Sequence, residues 1–461
     1  MPPYVIVSEL LLIRLVCGLV GYVLWRLWRF TVHPLLQPNL PRELPYTIPF
    51  IGKDLRPSQT IQSTDSLRPC NFPATEPARF NIVYHDALEV LRDRPEVINT
   101  EHIKDLLHGL GCSKPGILEI DSHQRGNISV PDSKAALTNR PPLFKVAEGL
   151  LSKQLLDRSL GNDLLARTLE VLETQGIPQV SLMIMSRWTN DLWKLLFKVP
   201  EPFARDVYTA RTRVQRCLQE FLRLPESEKS DQSWAIEAAV AEMRSRGMSE
   251  ADTASYLLVV FWAINANTFK IIFWLIAHII SNPTILTAVT TEISSILSDW
   301  PSNESLSSLS IRLERNTLLE ALHNEAHRLA LNTSSARTMK QDVNINGRIF
   351  TSGTHAVIPY RYLAMRHPLL SQDWDAFQPE RFLSNPGLGQ SKSFLPFGGG
   401  KHKCMGRFLS RRLVLTFTSL FLHRFKVRPL DGVPKMGFRP VSSGPASPVD
   451  DMRLVISHKE Y

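Results

Sequence analysis

The chain has 461 residues, of which 43% are hydrophobic and 21% are charged, and its formal net charge is +9. These values exclude an intrinsically disordered chain, and the length permits one large domain or several smaller ones. Five widely spaced cysteines argue against a disulfide framework and for a reducing compartment. The chain has no dense Lys/Arg tract with interleaved aromatic residues, so an anionic membrane or an acidic protein suits its positive charge better than nucleic acid does.

The first predicted element is a membrane anchor. Residues 4–25 read YVIVSELLLIRLVCGLVGYVLW, a mostly apolar run long enough to cross about 30 Å of hydrocarbon as a helix. No small-residue cleavage site follows, which disfavours a signal peptide. Trp25 and Trp28 suit the membrane interface, and Arg26 and Arg29 place the rest of the chain in the cytosol by the positive-inside rule. We therefore predict a single-pass anchor over residues 1–30.

A proline-rich connector and a large domain follow the anchor. Residues 31–52 contain five regularly spaced prolines, which predict a stiff, extended segment. The remainder, 53–461, is expected to form one domain. Its residues 53–80 show no clear period, whereas 81–250 are predicted to be mostly helical, for example over 164–176 and 201–224.

The most apolar stretch of this domain is predicted to be a long helix over residues 249–283. Ser249 and Asp252 form a capping box at its start, and Asn282-Pro283 marks its end. Polar side chains interrupt it at Asn265, Asn267, Thr268, Lys270 and His278. One interpretation is a second transmembrane helix. We favour a central buried helix whose polar notch faces a ligand, because buried polar groups need partners or a cavity.

Two further elements precede the C-terminal loop. Residues 318–331 (LLEALHNEAHRLAL) predict a helix on which Glu325 and Arg328 share a face and can pair. Residues 342–360 have strand character with an Asn-Gly turn at 346–347. The segment 379–382 (PERF) supplies a second arginine, Arg381. The chain is therefore expected to be mainly α, within an α+β class, with small β-sheets.

The loop FLPFGGGKHKCMGRF, residues 394–408, places Cys404 among glycines and basic side chains. Glycines allow close approach of the backbone to a bound group, so a phosphate, a metal ion, a reactive thiolate and a large flat cofactor are all candidates. A phosphate loop would need Ser or Thr directly after Gly400-Lys401, where His402 stands. A zinc site would need further nearby cysteines. An unreactive buried cysteine stays an alternative for the loop by itself.

Together, EAHR, PERF and FGGGKHKCMG resemble the three ordered signatures of the cytochrome P450 family, the haem-thiolate enzymes, most firmly over residues 250–430. The resemblance implies a P450 fold with haem b bound through Cys404 as the axial iron ligand. It places Gly398, Gly400 and Gly406 close to the porphyrin and Phe397 over the sulfur. It also implies that His402 and Arg337 contact haem propionates. Glu325, Arg328 and Arg381 would form a buried charged triad.

The same resemblance makes the long helix the distal helix that crosses over haem. Thr268 would then hydrogen-bond iron-bound oxygen and relay protons. Asn267 stands where the family usually has an acid, and Asn265 where it has a glycine. An amide does not carry protons as a carboxylate does, so a relay would run through water and Thr268. FWAINANT is similar to the branch of sterol 7α- and 12α-hydroxylases and prostacyclin synthase, and PRELPYTIPFIG and IPYRYLA look like filamentous-fungal biosynthetic members.

The activity that the resemblance implies is oxidation of an apolar small molecule by O2, with electrons from NADPH through a P450 reductase. A terpenoid, steroid-like or polyketide substrate from secondary metabolism is expected, as is an endoplasmic reticulum location. Two alternatives are an isomerase or dehydratase that needs no external electrons and a degenerate haem-binding protein. Basic residues around Cys404 are predicted to form one face, here called the basic face: Lys401, Lys403, Arg407, Arg411 and Arg412. This face could steer the acidic reductase or consist merely of solvated charges.

Overall fold

The computed structural model describes most of the chain from residue 199 onward and parts of the chain before it. The described residues are 80–82, 101–121, 143–156, 194–195, 199–229, 232–300, 306–345, 348–353, 355–399, 403–438 and 444–459, with isolated positions at 20, 24, 27, 28, 32, 304 and 442. The helix predicted at 164–176 and the turn at 346–347 therefore lie outside the described residues. The predicted anchor and connector also lie outside them, except at the isolated positions 20, 24, 27, 28 and 32.

The described part is mainly helical, as the sequence predicts. Its helices are α1 Glu101–Gly109, α2 Lys114–Asp121, α3 Leu143–Leu156, α4 Arg205–Arg223, α5 Trp234–Ser245, α6 Glu250–Asn265, α7 Thr268–Ile280, α8 Pro283–Ser298, α9 Leu306–Glu314, α10 Thr317–Ala330, α11 Tyr360–Ala364, α12 Pro368–Ser371, α13 Glu380–Ser384 and α14 Arg407–Arg424. Short 3-10 helices occupy Glu201–Phe203, Glu226–Lys229 and Pro386–Gln390.

The strands are short and form small sheets. They are β1 Phe80–Ile82, β2 Ser334–Thr338, β3 Val343–Ile345, β4 Arg348–Phe350, β5 His355–Pro359, β6 Phe425–Pro429, β7 Met436–Gly437, β8 Ser447–Pro448 and β9 Leu454–His458. β3 and β4 pair antiparallel with Val343 opposite Phe350, which confirms the hairpin predicted around the Asn-Gly turn.

The chain divides into two compact units. One comprises residues 1–99 and 335–359, and within it β1 pairs parallel with β5. The other comprises residues 100–334 and 360–461 and contains the helices α1–α14. In that helical unit β6 pairs antiparallel with β9, and β7 with β8.

The main hydrophobic cluster of the helical unit is built from α7, α8, α9, α10 and α14. Trp274 of α7 is fully buried there, and its indole N–H donates to the carbonyl of Ala446 at 2.8 Å. Asn caps fix the starts of two of these helices, because Asn282 accepts amide N–H bonds at α8 and Asn316 does so at α10. This packing holds α10 and α14 in contact with α7. The Glu325–Arg328 pair lies on α10, and α14 directly follows the Cys404 loop.

The long apolar helix predicted over 249–283 is two helices. The interruption falls at Ala266-Asn267, where Asn267 has φ −120° and ψ −44°, away from helical values. Asparagine favours the ends of helices because its side chain competes with the backbone for hydrogen bonds, which accounts for a break at this position. The run from Glu250 to Ile280 is long and apolar enough to cross a membrane by length and composition. α7 is nevertheless largely buried in the protein, whereas Phe261 and Ile264 on α6 are exposed.

The predicted capping box at Ser249 is present and extends into a buried cluster. Ser249 accepts from the amide of Asp252, and the Asp252 carboxylate accepts from the Ser249 hydroxyl at 2.7 Å. The same carboxylate accepts from the amide of Ser113 at 2.6 Å and from its hydroxyl at 2.9 Å. Burial raises the pKa of the neighbouring Cys112 thiol to about 12, and the charge of Asp252 adds to the effect. Asp252 therefore ties the start of α6 to the start of α2.

We expect Asp252→Asn to lower the free energy of unfolding by about 2 kcal/mol, because the charged acceptor of several hydrogen bonds is lost. Burial opposes ionisation of Asp252, but its hydrogen bonds from Ser249 and Ser113 outweigh burial and lower its pKa. The stabilisation is therefore complete above the unfolded-state pKa and is lost as pH falls through the folded-state pKa.

Urea unfolding between about pH 3 and pH 6 measures this contribution. The difference between wild type and Asp252→Asn should shrink toward the acid end. The control is Asp206→Asn, which replaces an exposed carboxylate at the start of α4 and should change the free energy of unfolding little. A difference between wild type and Asp252→Asn that stays constant across the range would contradict the assignment.

Candidate functional site

The structure brings Glu325, Arg328 and Arg381 together in one buried cluster. The guanidinium of Arg328 donates to both oxygens of Glu325 at 2.8 Å, and Nε of Arg381 lies 3.1 Å from Oε2 of Glu325. The side chain of Glu325 is 0% exposed. The amide of Gln378 adds a further hydrogen bond to Oε1 at 2.8 Å. Sequence spacing predicts the Glu325–Arg328 pair, whereas the contribution of the Gln378 amide has no sequence signal.

The two arginines also hold α12 and the chain that follows it. Arg328 donates to the carbonyls of Leu370, Trp374 and Ala376 at 3.2, 2.8 and 2.8 Å. Arg381 donates to the carbonyl of Leu369 at 2.6 Å. Each guanidinium thus joins the buried carboxylate to backbone of residues 369–376. Charge-assisted hydrogen bonds of this kind are stronger than neutral ones, so the cluster holds α10, α12 and α13 as one scaffold.

The Cys404 loop folds back on itself beside this scaffold. The amide of Cys404 donates to the carbonyl of Phe397 at 2.8 Å. Gly398 has φ +78°, a conformation that favours glycine, and its amide donates to the carbonyl of Leu395 at 3.1 Å. Arg407 closes the other end, because its guanidinium donates to the carbonyl of Cys404 at 2.9 Å. These bonds hold the thiol at the N-terminus of α14.

The surroundings of the Cys404 thiol combine opposing effects. Cys404 is exposed overall, but atoms packed around its sulfur raise the pKa of the thiol, whereas the backbone amides of Gly406 and Arg407 and the charge of Arg407 lower it. The net shift is upward, so the free side chain is a neutral thiol at physiological pH. A bound metal ion would reverse this state, because a coordinating thiol is deprotonated. The N-terminus of α14 and the charge of Arg407 would then stabilise the anion.

A pair of buried histidines lies behind the loop. His323 and His327 are one turn apart on α10, with ring centroids 4.6 Å apart, and His327 packs against Phe397 at 4.8 Å. Burial lowers the pKa of His327 to about 3 and that of His323 well below its usual range, so both rings are neutral. Their Nε2 atoms have no hydrogen-bond partner within the described residues. Neither histidine is among the predicted site residues, although their spacing of four on the EAHR helix is visible in the sequence.

The polar notch at the break between α6 and α7 faces other protein groups. The hydroxyl of Thr268 donates to the hydroxyl of Ser410 at 3.1 Å. The side chain of Asn267 lies against the backbone of Gly444, where even a Cβ atom would collide with it. The side chain of Asn265 is exposed and donates to the carbonyl of Phe261 at 2.8 Å. Ser410 is a site residue that the sequence analysis misses, because a serine on a helix carries no distinctive pattern.

Comparison with known proteins gives a consistent result. Residues 173–446 match the family model described as cytochrome P450. A cytochrome P450 monooxygenase of Gibberella zeae is 23% identical over 259 residues, which cover 52% of this chain and 49% of that protein. Oryzalexin E synthase of Oryza sativa subsp. japonica is 30% identical over 207 residues, with coverage of 42% and 39%. The chain belongs to the cytochrome P450 family.

The aligned part of this P450 spans half or less of the curated relatives it matches. Tabersonine/lochnericine 19-hydroxylase of Catharanthus roseus, for example, is 26% identical over 181 residues, which cover 38% of this chain and 34% of that relative. The family match contains Thr268, Glu325, Arg328, Arg381 and Cys404. It also contains Arg337, which lies buried in β2 of the smaller unit.

The cysteine side of this P450 fits a haem-thiolate iron, the cofactor that the family implies. Cys404 supplies one soft sulfur donor at the start of α14, and this sulfur would become anionic on coordination. A Cβ at Gly406 would lie 3.9 Å from Sγ, so the glycine keeps that side of the sulfur open. Gly400 and His402, the other residues predicted to contact haem, lie outside the described residues.

The opposite side of the site does not fit the macrocycle in this conformation. Atoms on the two faces of a flat ring must stand about 7 Å apart, twice a van der Waals contact. The hydroxyls of Thr268 and Ser410 are 3.1 Å apart, so no ring can lie between them. The predicted role of Thr268 at the oxygen-binding face therefore requires these two groups to separate.

Most of the predicted basic face is engaged within the protein. Arg411 contacts Glu320 at 3.4 Å and donates to the carbonyl of Glu314, and Arg412 lies 3.3 Å from the Glu314 carboxylate. Arg407 stacks on Phe408 at 4.3 Å while it binds the carbonyl of Cys404. Lys403 is exposed, and Lys401 lies outside the described residues. The surface beside Cys404 is therefore less cationic than the count of basic residues predicts.

Proposed function

We propose that this P450 is a haem-thiolate monooxygenase that oxidises an apolar small molecule. The observation that carries the proposal is the Cys404 loop: the amide of Cys404 donates to the carbonyl of Phe397 and the Arg407 guanidinium donates to the carbonyl of Cys404, which holds one thiol at the start of α14. The buried Glu325–Arg328–Arg381 cluster supports it, because it provides a rigid scaffold next to that loop. The bound haem would supply O2 activation, for which thiolate ligation favours cleavage of the O–O bond.

The expected co-substrates are O2 and NADPH, with a P450 reductase as electron donor. Matched relatives are named as a monooxygenase, a synthase and a hydroxylase, which supports oxidation as the general reaction. We propose a terpenoid, steroid-like or polyketide substrate from secondary metabolism, and a single-pass location in the endoplasmic reticulum membrane. The basis for the location is the apolar N-terminal run with its flanking Trp and Arg residues.

A second candidate function is isomerisation or dehydration without external electrons. FWAINANT resembles the branch that contains prostacyclin synthase. The residue at the position where the family usually has an acid is Asn267, and an amide does not carry protons as a carboxylate does. An isomerisation that needs no external electrons would tolerate the loss of this acid.

Reconstitution of the full chain with haem, a P450 reductase and NADPH distinguishes the candidates. Incubation with terpenoid, steroid and polyketide panels should give products that gain one atom of oxygen, labelled when ¹⁸O2 is used, and only when NADPH is present. Products of unchanged elemental composition, or products formed by loss of water, that arise without NADPH would establish the second function instead. Failure to form a thiolate-ligated ferrous–CO spectrum would overturn both and leave a degenerate family member.

A further inference from the structure

Two buried histidines on α10 have no role in the proposed chemistry. His323 is 3% exposed and His327 is 5% exposed. Within the part of the chain that the structure describes, the Nε2 atom of each ring has no hydrogen-bond partner. A buried polar atom without a partner lowers stability, and native proteins retain few of them. The presence of these two rings therefore needs a reason other than stability.

The two imidazoles form a row with a third ring, that of Phe397 in the cysteine loop. The ring centroids of His323 and His327 are 4.6 Å apart, and those of His327 and Phe397 are 4.8 Å apart. Both separations lie in the range of attractive aromatic pairs. Burial lowers the pKa of both imidazoles, so the rings are neutral. These three residues are here called the ring row.

The helix at the base of the ring row is held firmly. His323 and His327 share one face of α10, because they are one turn apart. Between and beside them, Glu325 and Arg328 form their buried pair, and Arg328 also binds backbone carbonyls within residues 370–376. A side chain on such a fixed helix holds a neighbouring loop more precisely than a side chain on another loop does.

The other end of the ring row is coupled to Cys404 through the backbone. The carbonyl of Phe397 accepts the amide of Cys404 at 2.8 Å. Gly398, the next residue, has φ +78°, and its amide donates to the carbonyl of Leu395 at 3.1 Å, so the chain turns sharply here. Because the ring and the carbonyl of Phe397 belong to one residue of a tight turn, a shift of the ring also shifts the carbonyl that holds Cys404.

We propose that His327 is a positioning residue that holds the Cys404 loop in place through the ring of Phe397, with His323 supporting it from behind. The position requires a flat ring, and the unpaired nitrogen is a penalty that the fold tolerates. The inference deepens the proposed function and rests on it in one respect, that Cys404 is the residue whose placement matters. It involves no contact of either histidine with a substrate or a cofactor.

The test measures how well the loop protects the thiol of Cys404 in the full chain produced without haem. Iodoacetamide is added, and mass spectrometry of the peptides gives a separate alkylation rate for each cysteine. His327→Leu keeps an apolar side chain but removes the ring, and it should raise the rate at Cys404 about twofold to tenfold, the worth of one aromatic pair. His327→Phe restores a ring and should keep the wild-type rate. His323→Leu should give a smaller rise, because it removes only the outer pair.

Two kinds of control separate positioning from general loosening. The exposed Cys217 reports the activity of the reagent and the buried Cys112 reports overall unfolding, and neither rate should change. The matched variant is His278→Leu on α7. It removes an imidazole that stacks on Phe377 with centroids 4.4 Å apart and whose Nε2 also has no partner among the described residues. This variant should leave the rate at Cys404 unchanged.

Stability provides an independent readout. His327→Leu should unfold in urea at or above the wild-type midpoint, because the buried nitrogen without a partner is gone. The same variant should nevertheless protect Cys404 less well. A role in packing alone would change stability and protection together, so opposite directions identify the positioning role.

Each remaining result decides against one of the two proposals. A wild-type alkylation rate at Cys404 in His327→Leu would overturn the positioning role, as would failure of His327→Phe to restore protection or a parallel rise at Cys112. The same proteins are then supplied with haem, and their ferrous–CO spectra are recorded. If the wild type lacks the thiolate band while the alkylation rates are as expected, the proposed function fails alone, and the positioning of the loop by His327 stands.

Discussion

We expect Cys404→Ser to abolish the thiolate-ligated haem state and all NADPH-dependent turnover. The substitution replaces sulfur by oxygen with little change in size, so the hydrogen bond from the amide of residue 404 to Phe397 can persist. A serine hydroxyl stays protonated and is a poor ligand for iron, whereas a coordinating thiol is deprotonated. The measurement is the reduced carbon monoxide difference spectrum, in which the red-shifted thiolate band should be absent from the variant.

The matched control is Cys217→Ser, which changes an exposed thiol on α4. It should keep both the spectrum and the turnover of the wild type. Unfolding curves of the haem-free proteins show whether Cys404→Ser disturbs the fold itself. A Cys404→Ser protein that retains the thiolate band, or a full rate of NADPH-dependent oxidation, would remove the basis of the haem-thiolate assignment.

Sequence reasoning predicts the local parts of this site well. The Glu325–Arg328 pair follows from a spacing of three on a helix, and the capping box at Ser249 follows from residue type and position. The hairpin of β3 and β4 follows from strand character around an Asn-Gly turn. These features depend on residues near one another in the chain, so their physical causes are visible in the sequence.

Contacts between distant segments are the part that sequence reasoning does not supply. The Thr268–Ser410 bond joins two hydroxyls 142 positions apart, and neither residue has a charge or a periodic pattern that would indicate the other. The pairing of Arg411 and Arg412 with Glu320 and Glu314 is similar. Counting charges predicts a basic face, but only tertiary packing decides which charges are neutralised by partners.

The break between α6 and α7 decides where Thr268 lies in its helix. A continuous helix over 249–283 would place Thr268 in the interior of the helix. The observed interruption at Ala266-Asn267 makes Thr268 the first residue of α7, where a helix is held least firmly. The hydroxyl predicted to serve the oxygen-binding face therefore lies at a helix end, less than two turns before the fully buried Trp274.

The second large effect concerns stability, and it is expected at Glu325. Glu325→Gln keeps the size of the side chain but removes the only carboxylate described in the cluster, so Arg328 and Arg381 remain buried without their counter-charge. Breaking a buried ion pair in this way typically costs about 3–5 kcal/mol. We expect a loss of this size in the free energy of unfolding, measured by urea denaturation of the haem-free chain and followed by circular dichroism.

Glu320→Gln provides the control on the same helix, because its side chain is 48% exposed where it contacts Arg411. An exposed pair contributes at most about 1 kcal/mol, so this variant should unfold close to the wild-type midpoint. If Glu325→Gln instead behaves like Glu320→Gln, the cluster does not stabilise the scaffold. If Glu325→Gln is too unstable to fold, Arg381→Lys tests the same cluster more mildly, since a lysine keeps the charge but loses the guanidinium geometry that reaches Glu325 and Leu369 together. Arg381→Lys should lose less stability than Glu325→Gln and more than Glu320→Gln. The reason is that it alters the contact of Arg381 with the Glu325 carboxylate and leaves that of Arg328 intact.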